Sequence, residues 1–248
     1  ATLAVSLACL KAAAKSENKE LYEYVSGGKV TLPIPMMNIV NGGKHANNDL
    51  DIQEFMIMPT VKTFKERLRA GSEIFHTLKK ILNDMGCSTG VGDEGGFAPN
   101  LKNNEEALEL IVKAIKESGY TPGVDVFIAL DVASSEIYDA NTNTYSIDGK
   151  KLNPTELTNY YISLIEKYPI VSIEDAFMED DFESLAKLTS IIGSKIMLVG
   201  DDYFVTNKKF LQKGIDNHAG NAILLKANQI GTVTEMVDTI VLAKKNNY

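Results

Sequence analysis

Four charged residues close four apolar runs. Val126–Asp131 reads VFIALD, Ile170–Glu174 reads IVSIE, Ile196–Asp201 reads IMLVGD and Ala222–Lys226 reads AILLK. Short apolar runs bounded by turn residues, as Pro122 and Gly123 bound the first, predict buried strands of a parallel sheet. The charges stand 43, 27 and 25 residues apart, counted from 131 to 174 to 201 to 226. The two shorter spacings fit one crossover helix with its loops, and the longer one leaves room for more. Parallel strands would gather all four charges at their carboxyl ends, where open parallel sheets and barrels bind ligands. Three carboxylates and one ammonium there predict a cation site beside a base. A single strand-end charge is as readily explained by solvation of the rim, but four in succession are harder to explain that way.

Asp131, Glu174 and Asp201 are hard oxygen ligands with no His or Cys beside them, a composition that suits Mg²⁺. Asp175 and Asp202 adjoin two of them. Neighbours on a strand face opposite ways, so one member of each pair points at the site, and spacing does not say which. Lys226 is a candidate base, because a buried lysine, or one near a metal, loses its proton more easily. The plain alternative is a lysine paired with a carboxylate. Glu94 lies in VGDEGGFAP, where glycines let backbone approach a ligand. This is not a P-loop, since the Lys-Ser/Thr ending is missing. His45, in an Asn-Gly loop, and Glu54 flank a predicted strand. For His45 the plain alternative is a solvated side chain. His76 and His218 read as structural.

These side chains need a scaffold. Residues 2–15 place Leu3, Leu7 and Leu10 at helical spacing, and Gly27-Gly28 marks a boundary. Residues 30–41 and 52–58 predict two strands that could pair as an antiparallel hairpin, with Pro33 and Pro35 near the start of the first. A long helix over 62–85 would bury Phe64, Leu68, Phe75, Leu78, Ile81 and Leu82, and a second covers 104–118. From Val126 onward strand and helix alternate. Asn153-Pro154-Thr155-Glu156 is a strong helix start, running to about Lys167, and further helices fall near 181–191, 207–213 and 232–245. The fold class is α/β, with two initial strands, two helices and then βα repeats; 248 residues are enough for one large barrel or two small domains, and a barrel would need more strands than these.

The chain has 248 residues and a net charge of −8, which argues against general attraction to nucleic acid or anionic membranes. No apolar run reaches membrane-spanning length. Cys9 and Cys87 are far apart and read as reduced thiols of a cytoplasmic protein. No basic residue precedes the apolar start ATLAVSLACLKAAAK, so it is no signal peptide. A chain that opens at Ala1 inside helix-like sequence and stops just after a helix is expected to be cut at both ends.

Taken together, NIVNGGKHANNDLDIQEFMI, VGDEGGFAPN, ALDVASSE, SIEDAF, VGDDYFVTN and LLKANQIGT resemble the enolase family, in the family's order and over nearly the whole chain. The resemblance implies an enolase-type, TIM-like barrel over residues 26–248, incomplete at its C-terminal end, with residues 1–25 as the remnant of an N-terminal domain. It implies Asp131, Glu174 and Asp201 as Mg²⁺ ligands, the latter two also touching substrate. Lys226 becomes the base that removes the proton alpha to a carboxylate, and Glu94 the acid that helps hydroxide leave. His45, Glu54 and, more weakly, Gln53 become substrate-binding residues.

The implied reaction is the reversible, magnesium-dependent dehydration of 2-phosphoglycerate to phosphoenolpyruvate in glycolysis. The implied setting is a cytoplasmic lyase, a homodimer at full length, with no nucleic-acid partner. Ser134, Ala176, Met178 and Tyr203 depart from the family's usual residues, which bears on packing more than on chemistry. The family's mobile serine-bearing loop, its Arg-Ser pair and a substrate-binding lysine have no counterpart here, so residues 1–248 alone are expected to be inactive. Two other readings compete. One is a superfamily racemase or cycloisomerase, against which VGDEGGFAP and NGGKHA argue. The other is a binding or structural protein, in which a ligand or the base would be expected to be lost.

Overall fold

The computed structural model describes residues 1–28 and 30–248. Helix α1 (Thr2–Ser16) and the single-turn-plus α2 (Leu21–Ser26) lead into the first strand pair, β1 (Met37–Asn41) and β2 (Glu54–Pro59). The first strand is shorter than the sequence suggests. Pro33 and Pro35 have no N–H to give a ladder, so pairing starts only at Met37. The two strands pair antiparallel as expected, with a bulge between Asn38 and Val40. Helices α3 (Phe64–Asp84) and α4 (Asn104–Glu117) follow in succession. In α3 the buried face is Ala70, Gly71, Ile74, Leu78, Ile81 and Leu82. Phe64 and Leu68, expected inside, are 38% and 55% exposed. Leu68 lies off the 70/74/78 stripe of a 3.6-residue helix, and Phe64 opens the first turn.

The rest of the large sheet is β3 (Val126–Asp131), β7 (Ile170–Glu174), β8 (Met197–Gly200) and β9 (Ala222–Ile223). Between β3 and β7 lies a three-stranded antiparallel sheet, β4 (Tyr138–Asp139), β5 (Thr144–Ile147) and β6 (Lys150–Leu152). It fills the long spacing after Asp131, and the sequence reading missed it. Its turn residues Asp148 and Gly149 both have positive φ, 49° and 69°, the signature of a tight hairpin turn. Helices α5 (Pro154–Lys167), α6 (Phe182–Ile192), α7 (Lys208–Asp216), α8 (Ala227–Ile230) and α9 (Val233–Lys245) complete the chain. Asn153 caps α5 by accepting from Thr155 N and Glu156 N, both at 3.0 Å, and Glu156 closes the capping box.

The sheet order is β1-β2-β3-β7-β8-β9. β2 runs antiparallel to β3, and β3, β7, β8 and β9 run parallel. This is an α/β architecture consistent with an incomplete enolase-type barrel, and among the described residues the sheet is not closed. Alternation sorts the side chains into two layers. Phe55, Ile57, Ile128, Leu130, Ile173 and Leu198 belong to the large core shared with the helices. Met56, Met58 and Ala129 form a small separate cluster on the other face, joined by Phe127 and Val171. On that inner face the strands end in acid groups.

Candidate active site at the carboxyl ends of the parallel strands

The parallel register brings the strand ends together. Asp131 pairs with Glu174 across β3 and β7, and Glu174 with Val199 of β8, two residues before Asp201. Glu54 joins them from the start of its strand, because β2 is reversed and Glu54 pairs with Asp131. The β9 ladder stops at Ile223, not at Lys226 as the AILLK run suggested. Beyond it, Lys226 N donates to Thr206 Oγ1 at 2.7 Å, which turns the chain and aims the lysine inward.

A cleft of about 450 Å³ opens at this end of the sheet, and Glu94, Lys226, His45, Gln53, Glu54, Asp131, Glu174 and Asp201 all line it. All the site residues expected from the sequence are therefore in one place. Another cleft, of about 480 Å³, lies between α1, α2 and α9 and is walled by Leu10, Ala13, Val25 and Val233 among others. Among the described residues it gathers no set of convergent titratable groups, which makes the acidic cleft the candidate site.

Asp131, Glu174 and Asp201 are 7%, 6% and 7% exposed. Carboxylate oxygens of Asp131, Glu174 and Asp175 lie within 4.8 Å of one another, as do those of Asp175, Asp201 and Asp202. Asp175 thus sits between the two groups, and its geometry separates it from its neighbours. Its φ of 46° breaks the strand alternation, and its carboxylate accepts the backbone N–H groups of Asp201 and Asp202, each at 3.0 Å. It clamps the end of β8 to the end of β7. Asp202 is exposed.

The electrostatics are those of crowded anions. Burial, then the charge on Glu54, pushes the Asp131 carboxyl well above its ordinary pKa. Burial, then the charges on Asp131 and Asp175, does the same to Glu174. Burial raises Asp175 to about 8. Burial, then Glu94, raises Glu54 to about 7. Such shifts mark a place that lacks positive charge. An all-oxygen donor set fits a hard divalent cation, and the shifts agree with that fit.

Lys226 departs from the expectation of a buried, low-pKa lysine. Its side chain is 44% exposed and bonded to Asp201 Oδ2. Partial burial pulls its pKa down, but the hydrogen bond and charge of Asp201, with Glu174 and Asp131 behind it, outweigh this and hold it above its ordinary value.

On the other side, ligand atoms of His45, Glu54 and Glu94 lie within 4.8 Å of one another. His45 Nδ1 is 3.1 Å from Glu54 Oε1 but off the line of a hydrogen bond. This buried nitrogen has no hydrogen-bond partner among the described residues. Gln53 turns toward the acidic group, donating from Nε2 to Asp131 Oδ2 at 3.2 Å.

A family comparison matches residues 29–248 to the family described as enolase, C-terminal TIM barrel domain. The chain belongs to that family. The match spans the whole enolase-type sheet and its helices, and α1 and α2 precede it. Enolase-family membership carries lyase chemistry of the superfamily with it. No helix among the described residues is long and apolar enough to cross a membrane.

Three residues of the candidate site escaped the sequence reading. One is Asp175 in its clamping role. The others are Gln229, whose Nε2 donates to Asp201 Oδ1 at 2.7 Å, and Thr206, whose hydroxyl donates to Gln229 Oε1 at 2.9 Å. Gln229 stands three residues after Lys226 and could have been suspected from that spacing. Thr206 gave no signal, since its role rests on a left-handed φ of 57°. The four departures from the family pattern are all absorbed. Ser134 Oγ is 3.3 Å from Tyr161 OH, which donates to Ala176 O at 2.8 Å. Met178 N donates to Tyr145 OH at 3.1 Å, and Tyr203 OH donates to Asp181 O at 3.2 Å.

Proposed function

We propose that this cleft catalyses the reversible dehydration of 2-phosphoglycerate to phosphoenolpyruvate, the enolase step of glycolysis. One observation carries the reading: a base candidate, an acid candidate and three buried carboxylates line a single cleft in a chain of the enolase family. Asp131, Glu174 and Asp201 would hold Mg²⁺. When bound, the cation offsets the second negative charge that builds on the substrate carboxylate as its alpha proton leaves. It would also take up the charge on Asp201 and so lower the pKa of Lys226 toward a working base.

The proton transfers are then divided. Lys226 Nζ accepts the alpha proton, and the C–H electron pair moves into the bond between the alpha carbon and the carboxylate. That pair next forms the carbon–carbon double bond as the bond to the β-hydroxyl breaks. Glu94 gives its proton to the departing oxygen, which leaves as water. His45, with its unpartnered Nδ1, and Glu54 stand beside Glu94, where they would contact the leaving group or the phosphate. Gln53 orients Asp131.

The test is to express the protein from its complete reading frame and supply 2-phosphoglycerate with Mg²⁺. Phosphoenolpyruvate should form, and chelation should stop it. Absence of product under those conditions, from folded protein, would overturn the reading.

A further inference from the structure

We propose that Asn41 is a positioning residue that aims Glu94 by holding the Gly92–Gly96 turn. The inference rests on the acid role proposed for Glu94. That carboxylate makes no hydrogen bond to any described residue, and Glu94 is exposed. Its aim therefore depends on the backbone that carries it.

The backbone is held by bonds from Asp93 N to His45 O at 3.1 Å and from Phe97 N to Ile39 O at 2.9 Å, and by one buried side-chain amide between them. Asn41, the last residue of β1, is fully buried. Its Oδ1 accepts Gly96 N at 2.9 Å, and its own N–H donates to Phe97 O at 2.8 Å. The turn closes on itself through Gly92 N to Gly96 O at 2.8 Å. A Cβ on Gly92 would lie 2.8 Å from Asn41 Cβ, and one on Gly96 would lie 2.8 Å from Asn41 Oδ1. Asn41 thus fills the space beneath the turn, and both glycines are needed to seat on it. On its other side, Nδ2 reaches Gln53 O only at 3.5 Å, and that oxygen also accepts Gly42 N at 3.0 Å, so loss of the amide leaves Gln53 and the acidic cluster in place. A misplacement of about 1 Å at a reacting group costs roughly 100-fold in rate.

The distinguishing readout compares two reactions of the same protein, expressed from its complete reading frame, with 2-phosphoglycerate and Mg²⁺ in D₂O. Dehydration needs both Lys226 and Glu94, whereas exchange of the alpha proton needs Lys226 and the acidic cluster but not Glu94. In Asn41→Ala, dehydration should fall about 100-fold while exchange stays within about threefold of wild type. Should Asn41→Ala not fold, Asn41→Ser, which keeps a polar but shorter side chain, gives the same comparison. Exchange and dehydration falling in parallel would mean a general packing role and overturn the proposal, as would dehydration that does not fall. Failure of the wild type to dehydrate 2-phosphoglycerate would instead overturn the reading of the site on which this one rests.

Discussion

The ammonium of Lys226 is bonded to Oδ2 of Asp201, while Gln229 holds Oδ1 of the same carboxylate at 2.7 Å. The proposed base and a proposed metal ligand therefore share one negative charge. With that charge free, it stabilises the protonated lysine. With the charge engaged by a cation, as proposed, the lysine would be released. Charge on one side of this pair sets the proton on the other, and several measurements can follow it.

Cation binding should release protons. Burial and mutual repulsion raise the pKa values of Asp131 and Glu174 above the ordinary carboxylate range. Each holds a proton in the metal-free protein at pH values where a free carboxylate would not. A cation favours the ionised forms, so Mg²⁺ affinity should rise with pH, by about tenfold per pH unit for each proton displaced. Titration calorimetry in buffers of different ionisation enthalpy reads this directly. A pH-independent affinity with no proton release between pH 6 and 8 would contradict it.

Glu54→Gln should stabilise the metal-free protein while impairing its chemistry. The folded pKa of Glu54 is raised to about 7, by burial first and by Glu94 second. For a raised carboxyl the folded state binds the extra proton. This group's contribution is therefore intact below the ordinary value near 4.5 and is lost as pH rises through 7. Replacing it by the neutral isostere should recover on the order of 1–3 kcal/mol at pH 8 and much less at pH 5. Denaturant unfolding of both proteins at the two pH values would show it. Equal stability at pH 8 would mean that Glu54 carries no such penalty.

Much of this site was legible in the sequence because its residues sit where apolar runs stop. Asp131 and Glu174 end strands and Asp201 directly follows one, in a register fixed by burial, so parallel pairing brings all three to one cleft. Lys226 was found by the same rule for a partly mistaken reason, since the ladder ends at Ile223 and a bond to Thr206 carries the lysine the rest of the way. Asp175 and Thr206 were not legible as they function. Both depend on positive φ at non-glycine residues, which no apolar pattern encodes. The β4–β6 sheet was missed because its strands are only two to four residues long, too short for a period to register. Phe64 and Leu68 show the converse, apolar residues at helical spacing that the fold leaves in solvent.

Asp175→Asn should weaken Mg²⁺ binding without removing a ligand. The carboxylate accepts N–H groups from both Asp201 and Asp202. An amide can accept from one of them and presents N–H₂ to the other. Loss of such an outer contact typically costs 10- to 100-fold in metal affinity. Calorimetric Mg²⁺ titration checks it, and an unchanged affinity would show that the end of β8 is held in place by other contacts.

The division of labour between Lys226 and Glu94 is tested most directly by exchange of the alpha proton of 2-phosphoglycerate with D₂O. It is followed by NMR with Mg²⁺ in protein expressed from its complete reading frame. Lys226→Ala should abolish both exchange and formation of phosphoenolpyruvate. Glu94→Gln should lose product formation by about 10²- to 10⁴-fold, the usual worth of a general acid, while exchange persists near the wild-type rate. Equal loss of exchange in the two variants, or exchange that survives in Lys226→Ala, would contradict the account.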